Sequence, residues 1–284
     1  LNTTRNNNMG TGATSATMLT FGGKTTEPSP TPNVTTFTES YDGSTWTEVA
    51  NLNQKRWSGA SFGSQTSAIC ASGADTPPPT YVVDSAESWN GTSWTEVNNL
   101  NTDRSYFAGA GTANTAGIVF AGYTGPTRIA NAETYDGTSW TEVADLNTTR
   151  SSLAGSNQGS STAALAFGGW KLSPSAVGDE VETWNGTAWT EVADLNTARS
   201  NLCGAGTSTS ALAGSGYTTT PVAIAESWDG TSWTEVADLA TARSDAGGGG
   251  IAASAAIVGG YGAAALNTME TYAGAPAIKT FTAS

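Results

Sequence analysis

The stretch ETYDGTSWTEVADLNTTR, residues 133 to 150, returns along the chain with few changes, and no other feature restricts the fold as strongly. Aligned on its first glutamate, the unit occurs at Glu39, Glu87, Glu133, Glu182, Glu226 and Glu270, at separations of 48, 46, 49, 44 and 44 residues. Two positions after each glutamate stands an aromatic ring: Tyr41, Trp89, Tyr135, Trp184, Trp228 and Tyr272. Seven positions after it stands a tryptophan in five copies, Trp46, Trp94, Trp140, Trp189 and Trp233, and Ala277 in the sixth. Every unit also carries an arginine: Arg5, Arg56, Arg104, Arg150, Arg199 and Arg243. A period of this size marks a solenoid, a propeller or an array, in which each unit buries its apolar face against its neighbours.

Within a unit the pattern reads as four short strands. In residues 146 to 193, SSLAGSN and TAALAFGG are small-residue and apolar strands, and EVETW and WTEVA are alternating strands joined by NGTA, a turn in which Asn-Gly supplies positive φ. No segment has a helical period. Four strands in about 47 residues, 284 divided among six units, predict an all-β, six-bladed β-propeller with four antiparallel strands per blade. The expected single domain spans 1–284, with blades at approximately 1–50, 51–98, 99–144, 145–193, 194–237 and 238–284. The first strand, rich in Gly and Ala (AGAG at 108 to 111, GGGG at 247 to 250), suits the crowded innermost position, and the repeated rings suit the wider gaps further out.

These residues carry a likeness. An apolar strand ending in Gly-Gly (Gly22-Gly23, Gly168-Gly169, Gly259-Gly260), a later Tyr or Trp, a second Trp, then Leu and Arg, resembles the kelch repeat over the whole chain. The first glycine is replaced by Ser72, Ala121 and Ser215 in three units, whereas the second is always present. The wording WTEVADLNTAR also resembles kelch-like repeats in virion proteins of marine bacteriophages. That resemblance implies a fibre or decoration module located on a virion, or else on a secreted or cell-surface protein, whose partners are other virion proteins or a host-surface glycan.

Composition excludes several classes. A net charge of −13 opposes binding to nucleic acid, whose affinity for proteins comes largely from Lys and Arg against phosphates. No apolar run approaches the roughly 18 to 20 residues of a membrane-spanning helix, so no membrane insertion is expected. The absence of histidine removes Ser-His-Asp triads, Cys-His pairs and His-based metal sites, including the copper chemistry of galactose-oxidase-like kelch enzymes. No loop clusters carboxylates at calcium-ligand spacing, and no cofactor is expected. Cys70 and Cys203 read as buried free thiols. The sequons at Asn2, Asn33, Asn90, Asn147 and Asn185 read as chance products of a chain rich in Asn and Thr. The chain opens inside the repeat, at LNTTR, as a processed product or a piece of a longer polypeptide would. A seventh blade, or a closing strand, supplied from upstream therefore stays open.

A residue present in every blade is explained by the blade, so the repeated Glu, Arg and Trp are expected to be structural, with Arg and Glu paired within or between blades. Binding residues should be those that break the pattern. The turn between the third and fourth strands barely varies, while the loop between the second and third varies freely (KTTEPSPTPNV, ADTPPPTYVVD, YTGPTRIAN, WKLSPSAVGD, YTTTPVAI, YGAAALNT). That variable face is the expected recognition surface. The candidates there are Trp57, Tyr81, Tyr106, Tyr123, Arg128, Trp170, Lys171, Tyr217 and Tyr261, rings and cations suited to a sugar or a protein partner. The competing reading of the rings after the second glycine is that they cap the gap to the next blade. A non-catalytic binding or structural module is expected. The alternative is a carboxylate-dependent polysaccharide hydrolase or sialidase-like enzyme using two of the off-pattern acids Glu27, Asp75, Asp84, Asp179 and Asp245. The turn SYDGSTW resembles a sialidase Asp-box, but its use in nearly every blade marks a fold element.

Overall fold

The computed structural model describes residues 1–25, 33–75, 82–172, 176–274 and 278–281. Among these there is no helix, and the strands form six antiparallel meanders, each paired in chain order from the innermost strand outward. The third blade is representative: Ala108–Ala113, Ala116–Tyr123, Arg128–Tyr135 and Trp140–Val143. The fourth differs in that its inner strand is broken into Arg150–Ser151 and Ala154–Gly155. A short ribbon, Lys24–Thr25 with Asn33–Val34, extends the loop of the first blade.

The six blades close on themselves. The inner strand Met9–Thr14 packs against both Ala60–Ser64 and Gly247–Ile251, which joins the first blade to the second and to the sixth. Two residues after each repeat arginine lies a residue with positive φ: Asn7, Ser58, Tyr106, Ser152, Asn201 and Asp245. Their backbones form a hydrogen-bonded circle in which each N–H donates to the carbonyl of its counterpart in the preceding blade. Ser58 donates to Asn7 (3.0 Å), Tyr106 to Ser58 (2.8 Å), Ser152 to Tyr106 (2.7 Å), Asn201 to Ser152 (2.7 Å), Asp245 to Asn201 (3.0 Å), and Asn7 completes the circle to Asp245 (2.7 Å). No gap remains for a seventh blade. The last strand, Ile278–Phe281, pairs with Met269–Ala273, so the sixth blade is contiguous in sequence and closure exchanges no strand between the termini.

The repeated arginine and glutamate form a buried clasp inside each blade. Arg5–Glu39 (2.6 Å), Arg56–Glu87 (2.8 Å), Arg104–Glu133 (2.5 Å), Arg150–Glu182 (3.1 Å), Arg199–Glu226 and Arg243–Glu270 (2.5 Å) are all essentially inaccessible to solvent. Each guanidinium also donates to the carbonyl of the residue before the invariant glycine: Gly22, Ser72, Ala121, Gly168, Ser215 and Gly259. The other carboxylate oxygen accepts a backbone N–H from the segment that leads into the blade, donated by Asn2, Asn53, Asn101, Asn147, Asn196 or Ala240. The side chains of those asparagines donate to the carbonyl of the repeat tryptophan, as Asn2 does to Trp46 and Asn147 to Trp189. Asn90 and Asn185 instead accept the N–H groups that close their turns. The asparagines of four of the five sequons thus serve the fold. Asn33 lies in the ribbon.

The unequal tolerance of the glycine pair has a backbone cause. At the first position φ lies between 49° and 65°, the left-handed region that Ser72, Ala121 and Ser215 can enter at modest cost. At the second, φ lies between 96° and 123°, outside that region. There the N–H of Gly73 reaches across the seam to the carbonyl of Arg104 (2.9 Å), and a Cβ on Gly73 would stand 2.8 Å from the carbonyl oxygen of Trp57. Gly73→Ala is therefore expected to cost about 1 to 3 kcal/mol, measured as a shift in urea midpoint.

Apolar packing lies in the seams. Phe120 of the third blade meets Trp189 of the fourth edge-on (4.9 Å between centroids), and Phe167 meets Trp233 of the fifth at 5.2 Å, so the rings fill the gaps as their spacing implies. On the axis, six inner strands leave a cavity of about 110 Å³ lined largely by glycine, alanine and backbone. The fourth blade blocks it at the end opposite the variable loops. Asn157 donates to the carbonyl of Gly248 (2.8 Å) and Gln158 to that of Gly63 (2.8 Å), tying the fourth blade directly to the sixth and the second across the axis.

Candidate functional site

In an antiparallel meander the loops before the first strand and after the second emerge on one face. The pairing across that face runs Asn6 with Lys24, Trp57 with Ala74, Ser105 with Tyr123, Ser151 with Trp170, Ser200 with Tyr217 and Ser244 with Tyr261. The residues following the invariant glycine thus form a circle around the channel mouth: Lys24, Ala74, Tyr123, Trp170, Tyr217 and Tyr261. Four consecutive blades, the third to the sixth, present aromatic rings.

Those rings line two adjoining grooves. One, of about 540 Å³, is bounded by Tyr106, Tyr123, Arg128, Ser151, Trp170 and Leu172. The other, of about 360 Å³, is bounded by Trp170, Ser200, Tyr217, Asp245 and Tyr261. Trp170 and Asn201 belong to both, so the depressions are continuous. Tyr217 and Tyr261 are 36 % and 39 % exposed, which leaves ring surface open to a ligand.

The sequence candidates Tyr106, Tyr123, Arg128, Trp170, Tyr217 and Tyr261 thus come together. The others do not. Trp57 is 2 % exposed, with the Lys24 ammonium 2.9 Å from its ring centre and Tyr106 edge-on at 5.3 Å, so it supports the rim from beneath and offers no face to a ligand. The reason is an exchange of volume: the third to sixth blades set a small serine against a large ring, whereas the second sets Trp57 against Ala74. Lys171 is tied to Glu180, whose hydrogen bond raises the lysine's proton affinity. Tyr81 lies outside the described residues.

Of the off-pattern acids, Glu27 also lies outside the described residues, and Asp75, Asp84 and Asp179 line neither groove. Asp245 does line one. Burial raises its carboxyl above the usual range, against hydrogen bonds from Ser244 (2.8 Å) and Asn201 (2.5 Å) and the field of Lys24. Burial lowers Lys24 to about 8, with Asp245 pulling the other way. The Tyr106 phenol is raised by burial and then by Asp245. No group of three or more His, Cys, Asp or Glu side chains is placed to hold a metal ion among the described residues.

Asn201 and Ser200, both in the lining, were not singled out by sequence. The column two places after each arginine reads Asn7, Ser58, Tyr106, Ser152, Asn201 and Asp245, and its variability beside an invariant neighbour was the signal available. On the opposite face the Asp-box-like turns are structural. Asp42 accepts the N–H groups of Ser44 and Thr45, both at 2.9 Å, and these bonds hold its carboxyl below the usual range.

No family model and no curated protein matches the chain. Among solved structures, the one titled "Structure of YjhT" is similar to it, with a TM-score of 0.77 and 12 % identity over 98 % of each chain. At that identity the likeness concerns the fold: the chain is a six-bladed β-propeller.

Proposed function

We propose that this chain is a kelch-type propeller acting as a non-catalytic recognition module on a phage virion, and that its variable face binds a host-surface glycan. The observation that carries this reading is the continuous groove pair with rings from four successive blades, a surface on which the flat faces of sugars can stack and hydroxyls can find Asn201 and Asp245. The wording WTEVADLNTAR, similar to virion repeats of marine phages, supports the location. Among the described residues the groove linings hold one carboxylate, Asp245, whereas the usual glycoside hydrolysis needs two, about 5 to 9.5 Å apart, and this favours binding over cleavage.

The test is retention on a glycan array. Trp170→Ala, which removes the ring common to both grooves, is expected to weaken retention by roughly tenfold or more, and Tyr217→Ala by less. Retention on virion proteins without any sugar preference would instead assign the face to assembly.

A further inference from the structure

We infer that the bound glycan is acidic and is read in one direction, with a carboxylate or sulfate seated against Arg128 and a neutral residue seated against Asp245. The inference rests on the glycan reading above and deepens it.

Of the seven arginines, six are consumed by the buried clasps, and Arg128 is the seventh. It is placed, not loose: its Nε donates to Ser151 Oγ (3.2 Å) and its guanidinium carbon lies 6.0 Å from the centre of the Trp170 ring. No carboxylate pairs with it among the described residues, in a chain of net charge −13 where acids are plentiful. An oriented fork whose terminal N–H groups have no hydrogen-bond partner among the described residues, set beside an aromatic face, suits a planar or tetrahedral oxyanion, which it can bind through two parallel hydrogen bonds. The remaining charge of the protein repels anions, so an acidic ligand is favoured at this place and disfavoured over most of the surface.

The second groove has the opposite character. Asp245 stands in its lining, where its negative charge opposes an anionic substituent. Ser200, fully buried behind that lining, keeps a hydroxyl with no hydrogen-bond partner among the described residues. Trp170 joins the two halves, so a chain crossing it meets a cation on one side and a carboxylate on the other.

The experiment uses surface polysaccharides of candidate hosts arrayed in native, carboxyl-reduced and desulfated forms, probed with the wild-type chain, Arg128→Ala, Arg128→Lys and Trp170→Ala. Reduction or desulfation, whichever removes the relevant group, is expected to lower wild-type retention at least tenfold. Arg128→Ala should bind native and neutralised forms equally weakly, and Arg128→Lys should fall between, because an ammonium keeps charge but not the fork. Unchanged melting of the variants would show that the fold is intact. Equal retention of native and neutralised chains by the wild type, or an acid preference that survives Arg128→Ala, would overturn the inference while the loss of binding in Trp170→Ala left the glycan reading standing. Absence of retention for every form would end both.

Discussion

Glu133→Ala is expected to lower the unfolding free energy by about 3 to 5 kcal/mol, read from urea denaturation, because it leaves the Arg104 guanidinium charged and enclosed. Both side chains are 0 % exposed. Burial already lowers the arginine's proton affinity, and Glu133 is the main group opposing that effect. The pair differs from an isolated buried ion pair, which hydrophobic residues can often replace without loss. Glu133 also accepts N–H groups from Asn101 (2.8 Å) and Thr102 (3.2 Å) and the Asn101 side-chain amide (2.9 Å), while Arg104 donates to the carbonyls of Ala121 (3.2 Å) and Asn131 (2.6 Å). Arg104→Met with Glu133→Met should therefore recover only part of the loss, since each orphaned backbone group costs about 1 to 3 kcal/mol. A double variant as stable as the wild type would show that the clasp's backbone bonds contribute little.

This clasp separates what the sequence could show from what it could not. Blade number, strand order and the division into a uniform and a variable face were legible because turn chemistry and side-chain alternation are local, and six copies average out the exceptions. The partners of Arg104 were only half legible. Charge complementarity suggested a pair, but that Arg104 and Glu133 belong to one blade, and that Asn101 completes the arrangement, depends on how the incoming loop folds over the third strand. The site followed the same division. Tyr123, Trp170, Tyr217 and Tyr261 share a column after an invariant glycine, so convergence on one rim was readable. The burial of Trp57 was not, because it depends on the small Ala74 opposite and on Lys24 of the neighbouring blade. The channel block by Asn157 and Gln158 depends on a break in one inner strand, and its partners Gly248 and Gly63 are about ninety residues away in sequence.

The largest contrast between residues that look equivalent in sequence is expected at the repeat tryptophan. Trp140→Ala should cost about 3 to 5 kcal/mol. The ring is 6 % exposed, lies 4.7 Å from Tyr135 of its own blade and 6.4 Å edge-on from Phe62 of the preceding one, and its Nε1 donates to the carbonyl of Asn98 (2.9 Å). Truncation opens a seam that neighbouring blades, tied to one another all the way around the ring, cannot collapse to fill. Trp46 stands at the same repeat position in the closing seam between the sixth blade and the first, where it is only partly buried. It meets Tyr41 at 5.1 Å, and Val258 occupies the place that Phe21, Phe120 and Phe167 take at three other seams. With less surface removed from water, Trp46→Ala should cost less than half as much as Trp140→Ala. Urea unfolding of the two variants side by side measures the difference directly. Equal losses would mean that the closing seam is packed as tightly as the rest, and that the ring has no weakest joint where the chain's first and last blades meet.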